Sequence, residues 1–171
     1  NANMDIIGKV AQGKLSKKET LEILSCVKAI ELGHLGVENE VYLTADNMDE
    51  NIYACYQIKH NKIQINIAYL ESREISDLFE DVIHECFHAY VWEQVMMFQS
   101  LDHKYRDLAL FEDIKMYEQE LASYKDADEY DKYSKQKLEK DAEAHVETAF
   151  DDYWTVINDT YSSETMISFE E

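Results

Sequence analysis

The chain has 171 residues, of which 46% are hydrophobic, and it contains no proline and only four glycines. This length is sufficient for one domain with a hydrophobic core, and the scarcity of helix-breaking residues favours a mainly helical fold. The net charge of −20 would repel nucleic acid and anionic membranes, and no apolar run is long enough to span a bilayer, so we expect neither as a partner.

Three cysteines, Cys26, Cys55 and Cys86, are scattered along the chain. An odd number without paired spacing argues against a disulfide framework and against a thiolate zinc site. This pattern is typical of a reducing compartment, so we expect a cytoplasmic location.

The N-terminal segment, residues 1–36, is predicted to be helical. Residues 4–12 have the composition of a short helix. Ser16 and Glu19 have the spacing of a capping box, in which Ser16 caps a second helix and the Glu19 side chain binds back to the Ser16 backbone. Gly33 is suited to end that helix.

Three short segments predict a small antiparallel β-sheet. Residues 41–44 have the composition of a strand, and residues 51–59 and 62–70 alternate between apolar and polar side chains. The last two segments flank His60 and Asn61. Because asparagine tolerates a positive φ, we expect a hairpin with a two-residue turn at this point.

Residues 71–98 have the strongest helical pattern in the chain. Apolar side chains recur at spacings of three and four residues, which predicts one buried stripe. The stripe consists of Ile75, Leu78, Phe79, Val82, Ile83, Cys86, Phe87 and Tyr90. His84, Glu85 and His88 fall on the adjoining face, which we expect to border a cleft. Cys86 is predicted to be a small core residue.

The C-terminal half is predicted to be helical as well. Residues 101–133 form a helical insertion, with a helix over 101–125 and a polar break after it. A last helix is expected over 134–158, followed by an acidic tail, 159–171, that frays. The whole chain, 1–171, is therefore predicted to be one α+β domain, mainly helical, with a small antiparallel sheet.

The sequence His84-Glu85-Cys86-Phe87-His88 carries a chemistry of its own. On a helix, His84 and His88 project from one face, one turn apart, and can together bind one zinc ion. Glu85 lies beside them and can take a proton from a zinc-activated water. The motif predicts a zinc site on the helix at 71–98.

A catalytic zinc usually has three protein ligands, and a later helix offers candidates for the third. Glu139 and Glu143 share a helical face, with the small Ala142 beside them. We expect Glu139 to bind the metal and Glu143 to accept the outer N–H of a ligand histidine. The reverse assignment, with Glu143 on the metal, is the alternative, and His145 and Glu147 are further possibilities.

The motif, placed after a hairpin and before a glutamate-bearing helix, resembles that of the zincin metallopeptidases, and most closely their glutamate branch, the gluzincins. The segment Glu139-x-x-Ala142-x-x-His145-Val146 also resembles the Glu-x-x-Ala-x-x-Phe-Ala pattern of small prophage-type peptidases, including the ImmA/IrrE group. The resemblance covers residues 50–155. It implies a zincin-like fold in which the helix of the motif is the active-site helix. The gap between His88 and Glu139 is longer than in compact members, which the insertion would explain.

This interpretation predicts a zinc metallopeptidase that acts on a peptide or protein substrate. Zinc activates a water, Glu85 takes its proton as general base, and the water attacks the peptide carbonyl. Tyr133, His145 and Tyr153 are candidates for stabilising the oxyanion. In zincins the substrate lies along a sheet edge, so the resemblance assigns this part to the strand at 62–70.

Two other classes of function fit the same sequence. One is a catalytically inactive zincin-like module that binds or regulates another protein and keeps a metal site. The other is a structural α+β domain without metal. The zinc content of the purified protein and its activity on peptides distinguish the three.

Overall fold

The computed structural model describes Val10 and residues 15–122 and 136–167. In these ranges the helices are α1 (Lys17–Leu35), α2 (Ile75–Ser100), α3 (His103–Arg106), α4 (Glu112–Ala122) and α5 (Lys137–Ile167), and the strands are β1 (Tyr42–Asp46), β2 (Ala54–Gln57) and β3 (Lys62–Asn66). The predominance of helix, with one small sheet, confirms the α+β class. None of the described helices is both long and apolar enough to cross a bilayer.

The sheet is mixed rather than antiparallel. β3 lies in the centre, antiparallel to β2 and parallel to β1. The prediction of an all-antiparallel sheet is therefore wrong for β1. The buried Asn66 side chain donates hydrogen bonds to the carbonyls of Asp49 and Ile52, at 3.1 and 2.9 Å, and so holds the loop between β1 and β2 in place.

The hairpin between β2 and β3 forms, but its turn is longer than predicted. A 3₁₀ turn (Ile58–His60) precedes Asn61, which has a φ of 46°. Asn61 thus adopts the positive φ that was expected of it, and its side chain is held by the hydroxyl of Tyr56 at 2.5 Å. The two strands are shorter than the alternating segments, because each strand is followed by a 3₁₀ turn within its segment.

The central position of β3 overturns one expectation. The strand at 62–70 was assigned to substrate pairing as a sheet edge, but β3 is paired on both sides, with Ile65 opposite Ala45 on one side and Ala54 on the other. Its backbone groups are already used. The edges of the sheet are β1 and β2.

The capping box at the start of α1 is confirmed. The Ser16 side chain accepts from the Glu19 backbone N–H at 3.4 Å, and the Glu19 carboxylate accepts from the Ser16 N–H at 3.0 Å. The helix ends later than expected, because Gly36, with a φ of 73°, takes the left-handed position. Gly33 stays helical, and its carbonyl accepts from the Gly36 N–H.

Helix α2 runs through the core, and α1, the sheet and α5 pack around it. Its apolar stripe is buried as predicted except at Tyr90, which is partly exposed, and Leu78, Val82, Ile83 and Cys86 are at most 1% exposed. A second cluster joins α2 to α4 and α5. It is built from Phe87, Val91, Val95, Tyr117, Leu138 and Ala142. The two clusters lie along α2 and hold the middle of that helix from several sides.

The helical insertion is broken where one helix was expected over 101–125. Leu101 is extended, Asp102 caps α3, and a 3₁₀ turn (Ala109–Phe111) leads into α4. Leu108, which lies between α3 and the 3₁₀ turn, is 45% exposed. The prediction of one helix failed because the apolar spacing continues across residues 107–111, where the chain is not α-helical.

Helix α5 continues to Ile167, beyond the expected end at 158. Residues 159–167 are helical and not a frayed tail, since α5 contains neither proline nor glycine to stop it. The predicted helix over 4–12, apart from Val10, lies outside the described residues. So do the predicted break at 125–133 with Tyr133, and residues 168–171 of the tail.

Candidate metal centre

The two histidines of the motif meet at their ring nitrogens. Both lie on α2, one turn apart, with the ring centroids 4.7 Å apart and the Nε2 atoms 2.9 Å apart. Their side chains are 20% and 11% exposed, for His84 and His88. The helix therefore holds two convergent imidazoles at the border between core and solvent.

Helix α5 brings Glu139 to the same point. One carboxylate oxygen lies 3.3 Å from His84 Nε2 and the other 3.5 Å from His88 Nε2. Glu139 is 1% exposed. Among the described residues, His84, His88 and Glu139 form a group whose potential ligand atoms all lie within 4.8 Å of one another.

Two of the three separations fit a shared metal ion. Donor atoms about 2.0–2.2 Å from a tetrahedral zinc are about 3.3–3.5 Å apart. The two histidine–glutamate separations, 3.3 and 3.5 Å, match this edge length. The histidine–histidine separation, 2.9 Å, is shorter than this edge. The donor set of two imidazoles and one carboxylate is one that zinc accepts.

Glu139 is held in place by the start of its own helix. The backbone N–H groups of Lys137 and Leu138 donate to the two carboxylate oxygens of Glu120 on α4, at 2.7 and 2.8 Å. A carboxylate at a helix N-terminus satisfies free N–H groups and complements the helix dipole. Helix α4, part of the insertion, thus fixes the first turn of α5, where Glu139 lies.

Small and apolar side chains let α5 approach α2 closely. Ala142 and Leu138 are 0% and 1% exposed and pack with Phe87 and Val91 of α2. The small size of Ala142 had suggested such an approach. With one turn capped by α4 and the next packed on α2, the Glu139 side chain has little freedom to leave the histidines.

The pKa of His84 lies above its ordinary value. Burial acts to lower it, but the hydrogen bond with Glu139 and the negative charges of Glu85, Glu139 and Glu143 outweigh burial. A protonated imidazole cannot bind a metal, so protons and metal compete for this group.

Glu85 is more buried than its position beside the stripe suggested. It is 9% exposed. Burial, and then the charge of Glu85, raises the pKa of Cys55 on β2 to about 11. Burial also raises the pKa of Asp81 to about 6. The nearby Arg73 acts to lower this pKa, and the charge of Glu85 raises it further. The negative charge of Glu85 thus raises the pKa of one group on β2 and of another on the preceding turn of α2.

The remaining candidates have other surroundings. Glu143 is exposed and contributes negative charge near His84, but it does not belong to the convergent group. His145 Nε2 lies 2.6 Å from a carboxylate oxygen of Glu31, and the Tyr153 hydroxyl donates to the other oxygen at 2.9 Å. Tyr133 lies outside the described residues.

The cluster around Glu31 was missed by sequence reasoning. Glu31 lies on α1 and is 1% exposed. A signal was present, since Glu31 follows Leu24 and Val27 at helical spacing and so continues the apolar face of α1. A glutamate in such a position predicts a buried partner that donates a hydrogen bond or carries a positive charge.

Comparison of the chain with protein-family models, with curated proteins and with solved structures finds no significant match. The interpretation of the site therefore depends on its own geometry. That geometry consists of two ring nitrogens and a buried carboxylate at one point, with a second buried carboxylate next to one of the histidines in sequence.

Proposed function

We propose that the protein is a zinc-dependent peptidase of the zincin type. The observation that carries the proposal is the convergence of His84, His88 and Glu139 from two helices that are far apart in sequence. Glu85, the general base that this chemistry needs, follows the first of these histidines. The resemblance of the motif to that of zincins supplies the reaction class.

Zinc would be held by three protein ligands, which leaves one coordination position open. When bound, zinc acts as a Lewis acid and lowers the pKa of a water to about 7. The two histidine side chains are the exposed part of the group, and Glu139 is its buried part. A substrate would therefore approach from the histidine side.

Glu85 would handle the proton. It accepts a proton from the attacking water and donates it to the leaving amine. Its burial beside β2 keeps bulk water away from this carboxylate and makes its charge effective over short distances. Replacing Glu85 by glutamine keeps the shape and removes the proton acceptor.

We assign the substrate strand to β2. It is an edge strand, and it packs against α2, which carries Glu85. An extended peptide could pair with its open edge by main-chain hydrogen bonds. This replaces the expectation for the strand at 62–70, whose central position leaves no open edge.

The experiment that tests the proposal measures zinc and turnover together. Wild-type protein is purified without chelator, its zinc per chain is determined, and it is incubated with a mixed peptide library analysed by mass spectrometry. We expect about one zinc per chain and cleavage that depends on it. Glu85→Gln should keep the zinc and lose about 100-fold or more of the activity.

Glu80→Gln is the matched control. Glu80 is exposed on the same helix and should change neither zinc nor cleavage. A wild type without zinc would contradict the metal site. Zinc without cleavage would contradict the peptidase and favour a module that binds metal without turnover.

A further inference from the structure

A second site lies between α1 and α5, built from residues other than the convergent metal group. A cavity of about 740 Å³ opens between these helices. Ligand pockets typically have volumes of about 300–1,000 Å³. Its walls are mainly apolar, with Ile23, Val27, Phe79 and Ala149 among them. The space is large enough for an organic molecule of moderate size.

Each of the two helices places an exposed aliphatic side chain at the mouth of this cavity. Ile30 on α1 is 48% exposed and Val156 on α5 is 65% exposed, and both line the cavity. Exposed aliphatic side chains that flank an apolar space indicate a surface that gains from being covered. An occupant should therefore be apolar over most of its length.

Three of the residues that line the cavity are acidic, namely Glu22, Glu31 and Asp152. Glu31 lies in its wall, bound by His145 and Tyr153, so that polar cluster is already satisfied from within. Glu22 and Asp152 line the cavity and are exposed. An alkyl tail would meet the apolar walls, and a polar head would meet these two carboxylates.

The sign of the charge at the cavity selects the head group. The described residues that line it include two histidines but neither lysine nor arginine. The nearby Lys18 contacts Glu22 at 3.6 Å, but both side chains are largely exposed, so this pair neutralises the carboxylate only weakly. In a chain of net charge −20, a cation is attracted to this mouth and an anion is repelled.

We propose that the cavity between α1 and α5 binds a cationic amphiphile, with its alkyl body against Val27, Phe79 and Ala149 and its protonated amine at Glu22 and Asp152. This site is independent of the proposed zinc chemistry. Its occupant differs from a peptide substrate in both shape and charge.

Binding of three ten-carbon probes tests the proposal. Decylamine, decanol and decanoate are titrated into the full chain by calorimetry, below their micellar concentrations. We expect decylamine to bind about tenfold or more tightly than decanoate, with decanol between them. Equal binding of the amine and the acid, or no binding of the amine, overturns the proposal.

Filling the cavity should abolish binding. Ala149→Phe places a ring in the wall, and Thr148→Phe does so from an exposed position that leaves the core untouched. Circular dichroism establishes that each variant is folded, and Leu110→Phe, at a 69% exposed position, is the matched control. If both folded cavity variants bind decylamine like wild type, the proposed location is wrong.

Removing the rim charges should reduce selectivity. Glu22→Gln combined with Asp152→Asn should lower decylamine affinity about fivefold and leave decanol binding unchanged. Glu112→Gln combined with Asp49→Asn removes the same charge from exposed positions elsewhere and should have little effect. A drop of the same size in both double variants would show that net charge, and not the rim, attracts the amine.

Cys26 provides an independent readout of location. It lines the cavity and is exposed, whereas Cys86 is buried. Decylamine should slow the modification of Cys26 by a maleimide, as followed by peptide mass spectrometry. Unchanged modification at saturating amine contradicts the site. So does decylamine affinity that tracks self-association of the protein in light scattering, since the occupant would then be a second copy.

Discussion

Two buried glutamates of this protein, Glu139 and Glu31, have nearly identical burial but face different side chains. Each is 1% exposed, and each faces side chains of a neighbouring helix. Around Glu31, a histidine ring and a tyrosine hydroxyl each face one carboxylate oxygen. Around Glu139, two ring nitrogens face the carboxylate and also each other, at 2.9 Å.

The difference lies in the groups that face each carboxylate. The Glu31 cluster joins one acceptor group to two donors, so it is complete as a hydrogen-bonded lock between α1 and α5. In the Glu139 cluster, two ring nitrogens and a carboxylate converge, and the proposed zinc would take all three groups as ligands. Burial of a carboxylate therefore does not distinguish the two clusters, whereas the groups that face it do.

The largest expected effect is on zinc affinity, which should differ between variants of the two glutamates. We expect Glu139→Ala to weaken zinc binding by more than about 100-fold, since loss of an outer-shell partner alone costs up to that factor. Glu31→Ala should retain wild-type affinity. Competition with a chromophoric chelator measures both values.

Glu143→Ala is the matched control for Glu139→Ala. It lies one turn further on α5, is exposed, and should change zinc affinity only slightly. If Glu143→Ala weakens zinc binding more than Glu139→Ala does, the assignment of the third ligand is reversed.

The second effect should separate the glutamates by stability. Glu31→Ala leaves His145 and Tyr153 without their shared acceptor, and we expect a loss of about 3 kcal/mol in the free energy of unfolding, the usual size for breaking a buried pair. Urea unfolding of the metal-free protein measures it. Glu71→Ala, at an exposed position, should change stability by less than about 0.5 kcal/mol. A Glu31→Ala variant as stable as this control would refute the lock.

A smaller effect is expected at Glu120, which acts on the site through the backbone. Glu120→Gln keeps a side-chain acceptor for the N-terminus of α5 but loses the charge, so we expect stability to fall by about 1 kcal/mol. Zinc affinity should fall by about tenfold, because Glu139 is then held less firmly. Glu118→Gln, on the same helix, is the control. Unchanged zinc affinity in Glu120→Gln would show that α4 has no part in positioning the ligand.

The smallest effect concerns the pH dependence of the Glu31 lock. Burial acts to raise the pKa of Glu31, but the hydrogen bonds from His145 and Tyr153 and the charges of His145 and His34 lower it below its ordinary value of 4.5. A carboxyl group with a lowered pKa in the folded state contributes stability above its unfolded pKa and loses it as pH falls through the folded value.

The gap in unfolding free energy between wild type and Glu31→Gln should therefore be full above about pH 5 and shrink at lower pH. Parallel urea titrations from pH 7 to pH 3 measure it. A gap that widens on acidification would mean that Glu31 is protonated in the folded protein.

Much of the fold could be predicted because its signals are local. The capping box at Ser16 and Glu19, the positive φ at Asn61 and the buried stripe of α2 each depend on residues within a few positions of one another. The predictions were wrong where the structure depends on contacts between residues far apart in the sequence. The parallel pairing of β1 with β3 and the break between α3 and α4, at residues 107–111, were not predicted from short windows of sequence.

The candidate site divides in the same way. The sequence by itself determined that His84 and His88 share a face, since helix geometry places residues four apart together. Only the tertiary structure shows that Glu139, and not Glu143, lies beside the two histidines, because a spacing of four residues leaves both candidates open. The capping of α5 by Glu120 and the packing of Ala142 set which turn meets α2. The partner of His145 was likewise decided by the approach of α1, a contact between residues more than one hundred positions apart in the chain.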